Sequence, residues 1–154
     1  MSSALIESYA AGPKLLREAT RGMTREQALA RPVAGKWSTL ECVCHLADFE
    51  IVYADRMKRV IAENQPTMFG GDPDVFAAAL AYHERDLAEE LALIEACRGQ
   101  VARILRTLKP EAFQRIGKHS EAGPLTLQTL LERVTGHISH HVKFIEEKRA
   151  ALKA

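Results

Sequence analysis

A cluster of histidines near the C-terminal end of the sequence is the feature best suited to chemistry. Three of the six histidines fall within five residues, at His137, His140 and His141. At about 100° per residue, His137 and His141 project together from an apolar helical stripe, whereas His140 projects about 100° away. Buried imidazoles need partners for a donor and an acceptor, and a metal ion is an economical partner. The pattern therefore indicates that His137 and His141 bind a metal, with His140 on the helix flank.

A third ligand should come from another helix, because a site built by one helix alone would be open to water. His45 is the best candidate, since it lies at the edge of an apolar face that also carries Cys42 and Phe49. Two alternatives stay open on spacing alone. The histidines could be hydrogen-bonded core residues of a metal-free protein. Cys42 and His45 could instead form half of a cysteine–histidine site, although no second pair with suitable spacing is evident.

Four long helical patterns position these residues, and no segment has a convincing strand pattern. We expect a kink or a break in the first helix at Gly12-Pro13. Capping boxes at Thr24 and Ser38 predict helix starts, and Asp72-Pro73 predicts another. Residues 65–71 and 109–125 read as connections. The expected long helices span about 3–20, 38–64, 82–108 and 126–152, with short helices after residues 24 and 72.

These elements predict an all-α protein with one domain, residues 1–154, folded as a four-helix bundle with short connecting helices. The chain has 154 residues, of which 47% are hydrophobic, enough for a sizeable core. Bundle interiors hold metal ions because side chains from facing helices converge there. The predicted fold can therefore enclose a site built by two helices.

The charge and cysteine content exclude several classes of partner. Lysine and arginine number 21 against 20 acidic residues, and the charges are scattered, so we expect no nucleic-acid or membrane partner. No apolar run approaches a membrane span and no secretory leader is evident, which favours a cytoplasmic location. The three cysteines lie in helical patterns and are expected to be reduced core residues.

Two segments of the sequence resemble the DinB-like superfamily, whose members are described as metal-dependent hydrolases. The segment Gly35–Asp48 reads GKWSTLECVCHLAD and resembles the signature G-x-W-S-x-x-E-x-x-x-H-L-x-D. The segment Thr126–Leu131, followed by the three clustered histidines, resembles the closing pattern T-L-x-x-L-L…H-x-x-H-H. The resemblance covers about residues 5–152.

The resemblance implies an up-down-down-up four-helix bundle with a divalent metal held by His45, His137 and His141. Characterised members include thiol-dependent transferases and isomerases that use low-molecular-weight thiols such as mycothiol or bacillithiol. Phe144 stands where many members carry a glutamine. Phenylalanine cannot make the polar contact that a glutamine would make there, but this difference does not affect the three histidine ligands that the resemblance implies.

Three neutral imidazoles leave a metal ion with its full charge and an exchangeable position, which is the catalytic pattern for zinc. Zinc is the expected metal and nickel the alternative, since imidazole suits both. We expect a metal-dependent hydrolase or a thiol-dependent S-transferase that acts on a small substrate through metal-bound water or thiolate. We expect no organic cofactor, and a homodimer is compatible with the sequence. The alternative is a non-catalytic, stress-related helical protein that binds a ligand or self-associates.

Two further side chains are candidates for catalysis. Asp48 lies one turn after His45 and could orient a ligand or accept a proton, although a solvated helix flank is the simpler interpretation. Arg98 interrupts the apolar stripe of the third long helix and stands where many family members carry an arginine. It should pair with a buried carboxylate or, less simply, anchor an anionic substrate. Glu41 is explained by the capping box and Trp37 by packing.

Overall fold

The computed structural model describes residues 2–153, and its main body is a bundle of four long helices. The two short helices and two 3₁₀ turns, Tyr82–Glu84 and Pro110–Gln114, connect the long ones. In chain order the helices are α1 (Ser2–Thr20), α2 (Arg25–Leu29), α3 (Thr39–Ala62), α4 (Pro73–Ala79), α5 (Leu87–Arg106) and α6 (Leu127–Ala151). The prediction of a four-helix bundle is confirmed.

Ion pairs show that α1 and α5 run antiparallel. Glu7, near the start of α1, pairs with Arg106 at the end of α5, at 2.9 Å. Arg17, near the end of α1, pairs with Glu95 in the first half of α5. The sequence order of the partners is reversed, which is the signature of antiparallel neighbours.

Contacts at the end of α6 fix the other two directions. Arg149 of α6 donates a hydrogen bond to the carbonyl oxygen of Ala19, at the end of α1, so α1 and α6 are parallel. Lys148 lies 3.6 Å from the sulfur of Cys42, in the first turns of α3, so α3 and α6 are antiparallel. Together with the antiparallel α1 and α5, this gives the expected up-down-down-up order.

A small sheet, absent from the sequence prediction, closes one end of the bundle. Its strands are β1 (Thr67–Met68), β2 (Ile116–His119) and β3 (Gly123–Thr126), with β1 parallel and β3 antiparallel to β2. The expectation of no strands was wrong because runs of two to four residues are too short to show alternation. A Cβ at Gly117 would lie 2.8 Å from Met68 and Val60, so glycine permits this close packing.

The start of α5 also differs from the prediction. Residues Tyr82–Glu84 form a separate 3₁₀ turn, and the helix begins at Leu87 instead of near residue 82. The side chain of Asp86 accepts a hydrogen bond from the backbone N–H of Glu89 and so caps the helix there. Ala81 has a φ of 50°, which interrupts the helical path before this point.

The Gly12-Pro13 pair does not divide α1, which is continuous from Ser2 to Thr20. Proline lacks the N–H that would reach the carbonyl oxygen of Tyr9. In its place, the guanidinium of Arg98 donates a hydrogen bond of 2.9 Å to that oxygen. A Cβ at Gly12 would overlap the same guanidinium. The helix therefore persists because Arg98 replaces the missing donor.

The core lies between the four long helices and extends beneath the sheet. The three cysteines are free, and Cys42 and Cys44 are buried, as the sequence indicated. Within residues 2–153 no helix combines the length and apolar character needed to cross a membrane.

Candidate metal centre

The structure brings His45, His137 and His141 together between α3 and α6. His45 lies in the second turn of α3, and the other two lie one turn apart in the middle of α6. One ring nitrogen from each residue falls within 4.8 Å of the others. The Nε2 atoms of His45 and His137 are 2.9 Å apart. These are the three residues that the sequence predicts as metal ligands.

Burial keeps all three imidazoles neutral near pH 7. Desolvation is the main cause, and it lowers the pKa of His45 to about 4, of His137 to about 3 and of His141 to about 4. The neighbouring histidines add to the lowering at His137 and His141, because two imidazolium ions side by side would repel each other. A neutral imidazole keeps a lone pair for a metal ion.

The arrangement fits a divalent metal ion better than a hydrogen-bonded core. Two imidazole nitrogens on one tetrahedral zinc ion lie about 3.3–3.4 Å apart, because each is about 2.0–2.1 Å from the metal. The observed 2.9 Å between His45 and His137 is within about 0.5 Å of that separation. Among the described residues this is the only hydrogen bond between any two of the three rings, and His45 Nδ1 and His141 Nδ1 are both buried without a partner. The residues therefore fit the group that the sequence implies.

Aromatic side chains surround the cluster. The ring centroids of Trp37 and Phe49 lie 5.2 and 4.8 Å from that of His45. Phe144 lies 6.1 Å from His141. These apolar walls cause the desolvation of the imidazoles and limit the access of water.

A pocket of about 260 Å³ reaches His141 from the surface. Trp37 and Phe144 form apolar walls, and charged residues lie along the rest of the lining. Its lining residues are Gly35, Lys36, Trp37, Cys42, Asp74, His141, Phe144 and Lys148. A small ligand could therefore approach the histidines from this side.

The first turn of α3 is held by a capping box, which positions His45 one turn later. Ser38 Oγ accepts from the backbone N–H of Glu41 at 3.1 Å, and Glu41 accepts from the backbone N–H of Ser38 at 2.7 Å. Arg31 pairs with the Glu41 carboxylate as well. These backbone hydrogen bonds and Arg31 lower the pKa of Glu41 against the opposing effect of burial, so the cap stays charged.

Asp48 is engaged by Arg85 and does not lie on a solvated flank. Its two oxygens accept hydrogen bonds of 2.9 and 3.1 Å from the guanidinium, which also binds Glu90. The Asp48 side chain is 13% exposed. Its charge opposes the fall in the His45 pKa, so the carboxylate acts on the centre at a distance.

Arg98 forms a buried ion pair, which is the simpler of its two sequence interpretations. The residue has no exposed surface, and its Nε donates to Glu50 at 2.9 Å. It also donates to the carbonyl oxygens of Tyr9 and Val134, while the Tyr9 hydroxyl donates to Glu50 at 2.7 Å. This network joins α1, α3, α5 and α6 one turn below His137.

Two other candidates lie outside the ligand cluster. His140 is exposed on the flank of α6, as its helical phase predicted. Cys42 contacts Lys148 instead of sharing a ligand cluster with His45. The cysteine–histidine alternative therefore finds no support in this geometry.

Sequence reasoning missed two charged residues of the pocket, Asp74 and Lys148. Lys148 follows His141 by seven residues, about 20° away on the helical wheel, so a cation inside an apolar stripe was a detectable signal. Asp74 had no such signal, because only the packing of α4 against α3 brings it to the pocket. Its charge, like that of Asp48, opposes the fall in the His45 pKa.

Comparison with known proteins agrees with the fold and identifies the family. The family described as the DinB superfamily matches residues 8–145. OB0782 of Oceanobacillus iheyensis is 28% identical over 133 residues, which cover 86% of this chain and 77% of that protein. YfiT of Bacillus subtilis strain 168 is 28% identical over 136 residues, which cover 88% and 76%. Both are provisionally named metal-dependent hydrolases.

The solved structure of Bacillus subtilis YfiT is similar over nearly the whole chain. The TM-score is 0.91 at 25% sequence identity, with 99% of this chain and 87% of that chain covered. That protein is described as a four-helix bundle of unusual topology. The family match spans most of the chain and includes all three histidines, and we conclude that the chain belongs to the DinB superfamily.

Proposed function

We propose that this protein is a divalent-metal-dependent enzyme that hydrolyses a small substrate, with His45, His137 and His141 as the metal ligands. The observation that carries the proposal is the convergence of three neutral imidazoles within 4.8 Å at the end of a pocket. The names of OB0782 and YfiT support it at the level of reaction type.

When bound, a divalent ion with three neutral ligands keeps its full charge and an exchangeable position, and so activates water or a thiol. The protein contributes the rest of the environment. Trp37 and Phe144 exclude bulk water from the pocket, and the capped start of α3 holds His45 in place. The pocket admits a small substrate to His141.

Thiol-dependent transfer is the second candidate, and the engagement of Asp48 favours it. Hydrolysis benefits from a carboxylate that accepts a proton from water. Asp48 is bound by Arg85 through both oxygens and so is not free for that role. A low-molecular-weight thiol has a lower pKa than water and needs less help from a base. We propose zinc as the metal and nickel as the alternative, because imidazole ligands suit both.

Elemental analysis of the natively purified protein tests the centre directly. We expect close to one equivalent of zinc or nickel in the wild type and almost none in His45→Ala. His140→Ala is the matched control, since it removes a neighbouring histidine outside the cluster, and it should keep its metal. Circular dichroism should show unchanged helical content in both variants. Equal metal content in His45→Ala and the wild type would refute the ligand assignment.

Activity then separates the two reactions. The metal-loaded protein is assayed for hydrolysis of p-nitrophenyl acetate, and for transfer of 2-mercaptoethanol to 1-chloro-2,4-dinitrobenzene. Loss of either activity in His45→Ala, with retention in His140→Ala, would identify the reaction class. A wild type that takes up no metal and has neither activity would instead favour a non-catalytic bundle that binds a ligand or self-associates.

A further inference from the structure

Lys148 is a buried cation without a carboxylate partner among the described residues. The residue is 3% exposed, and no Asp or Glu oxygen in residues 2–153 lies within 4.0 Å of its ammonium. Its two acceptors are the carbonyl oxygen of Phe144 at 3.3 Å and the sulfur of Cys42 at 3.6 Å. Neither carries a compensating formal charge, and a buried uncompensated charge is costly. An ammonium in this position is stabilised when an anion binds beside it.

The Cys42 sulfur does not supply that anion. Burial raises the pKa of the Cys42 thiol, and the nearby Lys148 only partly opposes this. The sulfur is therefore a neutral thiol near pH 7. A thiol is a weak acceptor, so this contact leaves the charge of Lys148 uncompensated.

Lys148 lies on the wall of the pocket that reaches His141. Lys148 and His141 are two turns apart on the same face of α6, and both line that pocket. Helical side chains lean toward the N-terminus, and the hydrogen bond to Phe144 confirms this direction for Lys148. The Lys148 side chain consequently extends toward His141, and its charge contributes to the lowered pKa of that histidine.

The charges and walls of the pocket select the kind of anion. The charged side chains of the lining are the exposed Lys36 and Asp74 and the buried Lys148, which together carry one net positive charge. That balance favours a single negative charge, since the carboxylate of Asp74 would repel a dianion. Trp37 and Phe144 offer apolar surface beside the ammonium.

We propose that Lys148 binds the carboxylate of a small substrate whose short apolar part lies between Trp37 and Phe144. The pocket volume of about 260 Å³ accommodates a molecule of this size. The binding of the carboxylate is independent of the metal. That the reacting group of the same molecule lies at the three histidines rests on the proposed function.

Trp37 is the only tryptophan of the chain and lines the pocket, so its fluorescence reports occupancy. The full-length zinc-loaded protein is titrated with hexanoate, with hexanamide as the uncharged analogue. We expect hexanoate to bind more tightly than hexanamide. In Lys148→Met the dissociation constant for hexanoate should rise about ten- to hundredfold, because a charge-assisted hydrogen bond is lost. Lys148→Gln, which keeps a donor without the charge, should show the same loss if Lys148→Met does not fold.

Lys143→Met is the matched control, since it removes an exposed lysine of the same helix that does not line the pocket. Its affinity for hexanoate should equal that of the wild type. Hexanoate binding should also persist after the metal is removed with a chelator. Equal affinities for hexanoate and hexanamide, or unchanged binding in the folded Lys148 variants, would overturn the proposal. Tighter binding of inorganic phosphate than of hexanoate would overturn the choice of a carboxylate.

The experiment separates the two proposals. If hexanoate binding requires the metal and not Lys148, the carboxylate binds at the histidines and the inference fails while the metal centre stands. If the protein takes up no metal, the proposed function fails. Titration of the metal-free protein then still decides whether Lys148 holds a carboxylate.

Discussion

Metal binding by this protein should be almost independent of pH between 7.5 and 5.0. A proton and a metal ion compete for the same lone pair of each imidazole. The structure places the pKa values of His45, His137 and His141 at about 4, 3 and 4, well below pH 5. The ligands are therefore already deprotonated across this whole range, and acidification adds little competition.

The size of the effect follows from the pKa values. For three independent histidines with the ordinary pKa of about 6.5, protonation at pH 5.0 would weaken binding about 30-fold per ligand, or about 10⁴-fold in total. With the pKa values of this site, the same change in pH weakens binding less than about twofold. The two expectations differ by about four orders of magnitude.

Quenching of Trp37 fluorescence by Co²⁺ measures the affinity, because the Trp37 ring lies 5.2 Å from that of His45. The dissociation constant is measured at pH 7.5, 6.0 and 5.0, with circular dichroism at each pH to show that the helices persist. His140→Ala is the control for the neighbouring exposed histidine and should behave like the wild type. A fall in affinity of more than about 100-fold at pH 5.0 in folded protein would refute the reasoning, because it would mean that burial does not hold the imidazoles neutral.

Three further predictions concern stability. The metal-free protein should have a lower melting temperature at pH 5 than at pH 7. In the unfolded chain these histidines have a pKa of about 6.5 and take up protons between pH 6.5 and about 4, whereas the folded histidines do not. Acid therefore favours the unfolded state. A flat or rising melting temperature would contradict this. Gly12→Ala should destabilise the protein by about 1–3 kcal/mol in urea titrations, because its Cβ would overlap Arg98, although alanine favours helices. Gly99→Ala, whose Cβ has only an ordinary contact at 3.6 Å, is the control and should be neutral or stabilising. Glu50→Gln should lower the unfolding free energy by about 3–5 kcal/mol, because it leaves the buried charge of Arg98 unpaired. Tyr9→Phe removes only a hydrogen bond to Glu50 and should lower it by about 1 kcal/mol. Equal losses in the two variants would contradict the ion-pair assignment.

Local signals predicted the helices and two of the three proposed metal ligands, His137 and His141. Capping boxes join residues three apart, and the phase of His137 and His141 depends only on the rise and turn of one helix. The same phase places Lys148 beside them, although the sequence analysis overlooked it. Where several local signals conflicted, the prediction was wrong. The start of α5 was set too early because Asp86 offers a cap that competes with the pattern before it.

The features that the sequence analysis did not predict depend on contacts between residues far apart in the chain. Strand β1 pairs with β2 across about 50 positions of sequence, as in Thr67 with Lys118, and no local pattern encodes that pairing. Asp48 is bound by Arg85 from another segment, which changes its expected role from a free carboxylate to an ion-pair partner. The continuity of α1 likewise depends on Arg98 of α5, which replaces the hydrogen bond that Pro13 cannot make.

Local sequence patterns specify the helical class, the helix caps, the face of α6 that carries His137 and His141, and the resemblance to the family. These depend on hydrogen bonds and helical angles within a few residues. Tertiary packing brings His45 to that face, places Lys148 against an uncharged thiol and binds Asp48 to Arg85. Those contacts join residues 37 to 106 positions apart, and their distances are set by the packing of whole helices rather than by any local pattern.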